Sequence, residues 1–170
     1  MKALQSVSNS HHEYLLGFRS KKQRARVTLF RDSKYIRQLN HVLSLELGTL
    51  ALYRKSSSVK HLDLLEQCIE NHVDSSKQLR NLIVANRGIP DCDALALPTE
   101  LSILAGKLGF QFGESIGSAT SLKLCQNLEQ LLRKRYLELL KHAPLRDRSQ
   151  LQALLLQTKA NTIALDKAKF

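Results

Sequence analysis

The sequence predicts an all-α protein: an antiparallel bundle of four long helices with a basic N-terminal extension. Two observations lead to this fold class. Apolar residues recur at spacings of three and four along four long stretches, as the buried face of a helix requires. The 170 residues include only seven Gly and three Pro, which favours long helices joined by few turns.

Short polar or Gly/Pro-containing breaks set the limits of the predicted helices. These breaks are the serines at 56–58, the segment 88–90, Gly117 and Pro144. The predicted helices are A over about 33–56, B over about 59–86, a shorter helix over about 100–116, C over about 120–142 and D over about 146–167. Together they form one domain over residues 33–170.

Residues 1–32 are predicted to be a weakly ordered basic extension because they lack sustained periodicity. The chain has a formal charge of +11, and residues 1–38 hold nine Lys or Arg against two acidic residues. The basic residues include one dense run: Arg19, Lys21, Lys22, Arg24 and Arg26. Such a run can bind the phosphates of nucleic acid or an anionic lipid surface, or it can remain a solvated tail.

Several functional classes are not supported by the sequence. No stretch approaches the roughly 20 apolar residues of a transmembrane helix, and the start has no apolar core of a secretory signal. P-loop, dinucleotide-binding and nucleophile motifs are absent. The three cysteines are odd in number and lack metal-ligand spacing, so we expect reduced thiols in a cytoplasmic protein.

Helices A and C each place a carboxylate on an otherwise apolar stripe. Glu46 precedes Tyr53 by seven residues, and Glu129 precedes Tyr136 by the same spacing. Seven residues make two helical turns, so each Glu and its Tyr lie on one face. The two Glu are therefore expected to point toward the bundle axis.

Helices B and D also correspond when their apolar stripes are aligned. His72 and Ser75 in helix B then match Thr158 and Asn161 in helix D. The chain therefore looks like a helix pair used twice, with polar residues at matching depths in all four helices.

This arrangement resembles the ferritin-like superfamily over residues 33–168. Its di-iron members carry an inward Glu on the first and third helices and a Glu-x-x-His on the second and fourth. The segment 46–53, ELGTLALY, resembles the first-helix motif of that superfamily. The extra helix between B and C resembles small bacterial ferritin-like families of unknown function. The resemblance implies a centre in which four carboxylates and two imidazoles hold two metal ions.

The chain keeps only part of that ligand set. Glu46 and Glu129 stand in place, and His72 occupies a position where Glu is expected. Two carboxylates and one imidazole can hold at most one ion, such as Fe²⁺ or Zn²⁺. We expect no cofactor and no catalytic residue, and Glu46, His72 and Glu129 should converge in the middle of the bundle. The expected core polar network comprises Tyr53, Ser75, Tyr136, Thr158 and Asn161.

These observations lead to one leading function and two alternatives. The leading expectation is a ferritin-like protein with a degenerate di-iron site that serves in binding or assembly. The first alternative is a metal-dependent oxidase or metal-handling protein using Glu46, His72 and Glu129. The second is a protein that binds nucleic acid or an anionic surface through residues 19–26. A homo-oligomer is also among the expected states.

Overall fold

The structure, a computed structural model, describes residues 34–56, 62–91, 98–107 and 118–168. These residues form helices and short connections, with no strand among them. The helices are α1 Lys34–Ser56, α2 Leu62–Ala85, α3 Thr99–Lys107, α4 Ser118–His142 and α5 Leu145–Lys167. The predicted all-α class is confirmed. The basic run at 19–26 and the predicted continuation of the short helix over 108–116 lie outside the described residues.

The four long helices contact one another in a closed ring. α1 contacts α2 and α4, while α5 contacts the same two helices. Neighbouring helices run antiparallel, as their hydrogen bonds show. Tyr53 and Glu46 of α1 bond Glu129 and Tyr136 of α4, so the residue numbers rise in one helix as they fall in the other. None of the described helices is long and apolar enough to cross a membrane.

The short helix α3 lies against α4 and α1. Leu101 and Ala105 are its buried residues. Glu100 at its start forms an ion pair with Arg135 of α4, and His41 of α1 lies 3.5 Å from the same carboxylate. An apolar face and one shared carboxylate therefore hold α3 in place.

α2 ends in a Schellman motif. The amide of Gly88 donates to the carbonyl of Ile83 at 2.8 Å, and the amide of Arg87 donates to the carbonyl of Val84 at 2.8 Å. The residue in the left-handed region is Arg87, with φ 60°. Gly88 serves a different purpose, because a Cβ there would lie 2.8 Å from Cγ2 of Ile36 in α1. The glycine thus allows close approach of the two chain segments.

A buried carboxylate joins three helices at this end of the molecule. Asp147, in the first turn of α5, accepts hydrogen bonds from Tyr35 at 3.0 Å and from Asn86 at 2.7 Å. Asp147 is also 3.4 Å from the guanidinium of Arg146. These bonds fix the start of α1 and the end of α2 against the start of α5.

Candidate functional site

The structure brings Glu46, His72 and Glu129 together in the interior of the helix ring. All three side chains are buried. The ring of His72 lies between the two carboxylates: Nδ1 is 2.6 Å from Glu46 Oε2, and Nε2 is 2.9 Å from Glu129 Oε1. One imidazole therefore bridges α1 and α4 from its position on α2.

The two tyrosines complete the site in a crosswise manner. Tyr53 on α1 donates its hydroxyl to Glu129 on α4 at 2.7 Å. Tyr136 on α4 donates to Glu46 on α1 at 2.5 Å. The equal spacing of seven residues in both helices explains this pairing, because antiparallel helices place each Glu opposite the Tyr of the other. The rings of Tyr53 and His72 also pack against each other in a T-shaped arrangement, with centroids 5.0 Å apart.

The fourth long helix of the ring, α5, contributes amide side chains. Asn161 on α5 donates to Glu129 Oε1 at 3.3 Å, and its own oxygen accepts from Asn71 on α2 at 2.7 Å. Ser75 donates to Gln157 at 3.4 Å, and the Gln157 amide donates to the backbone oxygen of Asn71 at 3.3 Å. Polar side chains between α2 and α5 thus form a connected row of hydrogen bonds, which runs from the half-buried Asn71 and Gln157 to the buried Glu129.

Most residues of this polar network are predicted by the sequence. One predicted residue bonds elsewhere, and two members of the network are not predicted. Thr158 was expected in the polar network, but its hydroxyl donates to the backbone oxygen of Leu154 at 3.1 Å. A threonine inside a helix readily makes this bond with the preceding turn. Asn71 and Gln157 were not anticipated, because each lies beside the inner stripe and is only half-buried. Asn71 directly precedes His72, and Gln157 directly precedes Thr158. This adjacency to predicted site residues is the sequence feature that could have pointed to them.

The site holds a cation of its own. Burial lowers the pKa of His72, but attraction and hydrogen bonds from Glu46 and Glu129 outweigh burial and raise that pKa to about 10. The ring is therefore an imidazolium at neutral pH, and both of its N–H groups donate. Burial, and next the adjacent carboxylate, raise the pKa of Tyr53 and of Tyr136 well above 10, so both remain neutral donors.

The carboxylate oxygens are unequally satisfied. Glu129 Oε1 accepts bonds from His72, Tyr53 and Asn161, whereas its Oε2 is buried with no partner among the described residues. An unpaired buried acceptor typically costs about 1–3 kcal/mol. Glu129 is thus the less completely paired of the two carboxylates.

Metal coordination does not fit this arrangement of side chains. Within the described ranges, no group of three or more His, Cys, Asp or Glu is placed to hold an ion. A metal bound to nitrogen and oxygen at roughly 2.0–2.2 Å would hold a tetrahedral pair of ligand atoms about 3.3–3.6 Å apart. The 2.6 Å separation between His72 and Glu46 leaves room only for a proton. Binding an ion would require His72 to release one of its two carboxylates.

Two buried thiols lie beside the site. Cys68 and Cys125 precede His72 and Glu129 by one helical turn, are free, and interact with the hydroxyl of Tyr53. Burial raises the pKa of Cys68 to about 12 and that of Cys125 further. Both are therefore neutral thiols that fill the core. Cys92 lies outside the described residues.

No family model, curated protein or solved structure matches the chain. Its function is therefore argued from its own residues.

Proposed function

We propose that this chain is a ferritin-like four-helix bundle whose metal centre has been replaced by a hydrogen-bonded ionic core. In this proposal α3 belongs to the connection that crosses from α2 to the diagonally placed α4. The protein serves in binding or assembly and is not a catalyst. The antiparallel ring of helices and the inward Glu46 and Glu129 support this assignment.

The position of His72 is the observation that carries the proposal. Its imidazolium contacts both carboxylates and supplies the positive charge that metal ions supply in a di-iron protein. Two divalent ions would bring four positive charges, whereas Glu46 and Glu129 bring two negative ones. Such an imbalance is strongly unfavourable in an interior that screens charge poorly. Two carboxylates are matched better by one imidazolium and three hydrogen-bond donors from hydroxyl and amide groups than by two divalent ions.

Elemental analysis of protein purified without chelators tests the proposal. We expect no transition metal in stoichiometric amount, and no rise in melting temperature on addition of Fe²⁺ or Zn²⁺. A content close to two metal ions per chain would contradict the ionic-core assignment.

The unpaired oxygen of Glu129 favours a second candidate, in which His72 releases one carboxylate and Glu46, His72 and Glu129 then bind one Fe²⁺ or Zn²⁺ in a metal-handling protein or oxidase. A hard or borderline ion is suited to carboxylate oxygen and imidazole nitrogen. This candidate predicts one ion per chain, lost in Glu129→Gln. The exposed Glu66→Gln serves as the matched control and should leave the metal content unchanged.

A basic surface on α4 favours the third candidate, a binder of nucleic acid or an anionic surface. Exposed positive side chains follow the outside of this helix: Lys123, Arg133, Lys134 and Lys141. These side chains would add further positive charge to that of residues 19–26 for binding phosphates. For this candidate, we expect retention on heparin that falls steeply with increasing salt. Retention should fall further when the five basic residues at 19–26 are replaced by Gln. The free thiols Cys68 and Cys125 fit a cytoplasmic location for any of the three.

A further inference from the structure

The helix α5 is apolar on two opposite sides. Its inner side carries the fully buried Leu151, Leu154 and Leu165. Its outer side carries Leu145, Leu156 and Ile163, whose exposed fractions are 82%, 65% and 45%. The separations of eleven and seven residues correspond to three and two turns, so these three residues form one line along the outside of the helix. We call this line the outer stripe.

An apolar outer stripe distinguishes α5 from its neighbour α2. The outward positions of α2 are mostly charged: Asp63, Glu66, Glu70, Asp74 and Lys77 are all exposed. A helix with an apolar side facing water is the expected pattern only when a second partner covers that side. Isolated exposed hydrophobic residues are ordinary on a protein surface, whereas several large ones aligned on one side of a helix indicate an interaction site.

We propose that a second copy of this chain covers the outer stripe, through an antiparallel pair of α5 helices related by a two-fold axis at Leu156. Such an axis pairs each position of the stripe with the position that lies equally far on the other side of Leu156. Ser149 and Ile163 each lie seven residues from Leu156, and Gln152 and Ala160 each lie four residues away. In the antiparallel pair, the large Ile163 therefore faces the small Ser149 of the other copy, and Ala160 faces Gln152.

The outermost pair of positions on the stripe also faces each other across the interface. Leu145 and Lys167 each lie eleven residues from Leu156, and both are exposed. A lysine stem can cover an apolar side chain while its ammonium group stays in water. A two-fold axis at Leu156 thus gives every apolar position of the stripe a compatible partner, as a self-complementary interface requires.

Charge complementarity supports the same arrangement. Arg148 and Asp166 lie on the same flank of the outer stripe, near its opposite ends, and both are exposed. Because the second helix runs in the opposite direction, Arg148 of one copy lies beside Asp166 of the other at both ends of the interface.

The molecular mass in solution tests this interface. For the wild-type chain, light scattering coupled to size exclusion should give twice the 19.2 kDa chain mass. Leu156→Glu places two like charges on the two-fold axis and should yield the monomer. Leu137→Glu is the matched control, because Leu137 is 45% exposed on the outside of α4 and receives the same substitution. It should remain dimeric, and circular dichroism should show both variants fully helical.

Disulfide cross-linking tests the position of the axis. In a Cys92→Ser background, Leu156→Cys places two thiols on the axis, within the 4.4–6.8 Å Cα separation of a disulfide. Mild oxidation should give a covalent dimer. Ser149→Cys alone should not cross-link, because its two copies would lie about 21 Å apart along the helices. A monomeric wild-type chain, a Leu137→Glu variant that dissociates like Leu156→Glu, or cross-linking through Ser149→Cys but not Leu156→Cys would overturn the proposal.

Discussion

Tyr136 of α4 donates its hydroxyl to Glu46 of α1 at 2.5 Å, in the interior of the helix ring. Its counterpart Tyr53 donates to Glu129 at 2.7 Å, but that oxygen also accepts a bond from His72. Tyr136→Phe leaves Glu46 Oε1 without a donor and should lower the free energy of unfolding by about 1–3 kcal/mol. Tyr53→Phe should lower it by less. Urea unfolding of both variants checks the order, and a larger loss for Tyr53→Phe would contradict the described bonding.

The pH dependence of stability follows from His72. Its folded pKa of about 10 lies above the unfolded value of 6.5, so this contribution to stability is fully present below pH 6.5 and is lost as pH rises through 10. The contribution is on the order of 5 kcal/mol at most. Urea unfolding between pH 6 and 10 should show the loss. The exposed His41→Gln is the control and should keep the same slope, whereas a stability that does not fall over this range would refute the imidazolium assignment.

Adjacent residues at the end of α2 should respond in opposite directions. Gly88→Ala places a methyl group 2.8 Å from Cγ2 of both Ile36 and Ile83, and should destabilise the protein by about 1–3 kcal/mol. Arg87→Gly removes an unfavourable left-handed conformation and should stabilise it by roughly 1 kcal/mol. Thermal unfolding measures both. Stabilisation by Gly88→Ala would show that the close contact with Ile36 is absent.

The buried Asp147 should be a major determinant of stability at its end of the molecule. Asp147→Ala removes the acceptor of both Tyr35 and Asn86, and should cost about 2–4 kcal/mol for the loss of two charge-assisted bonds. The exposed Lys159→Ala in the same helix is the control and should change stability little. Hydrogen exchange should show faster opening at the start of α1 in the Asp147→Ala variant. Equal stability of the two variants would refute a joining role for Asp147.

The helices were predictable because each has an inner stripe with the helical period. The sequence also predicts that the three central residues are buried polar groups with bonding partners. Glu46, His72 and Glu129 interrupt apolar stripes, and a polar residue in such a position needs a partner. Their bonding was not predictable, since the crosswise pairing of Glu and Tyr depends on the register between α1 and α4. The sequence also cannot show that both nitrogens of His72 bond carboxylates.

Other features escaped prediction for local reasons. Thr158 has the same periodicity as Asn161, yet its hydroxyl bonds its own helix. Gly88 signals a helix end in sequence, and only the packing of α1 reveals that its missing Cβ matters more than its backbone freedom. The outer stripe of α5 was not predicted, because the inner apolar face alone accounts for the helical period of this segment.

We propose that a proton on His72, and not a metal ion, supplies the positive charge between Glu46 and Glu129. Nuclear magnetic resonance of the ¹⁵N-labelled histidine side chains at pH 8 tests it most directly, with His72 assigned through the His72→Gln variant. We expect a proton on both ring nitrogens of His72, and slow exchange of both protons with water because the ring is buried. A ring of His72 with one unprotonated nitrogen, as in a metal-bound or neutral imidazole, would contradict it.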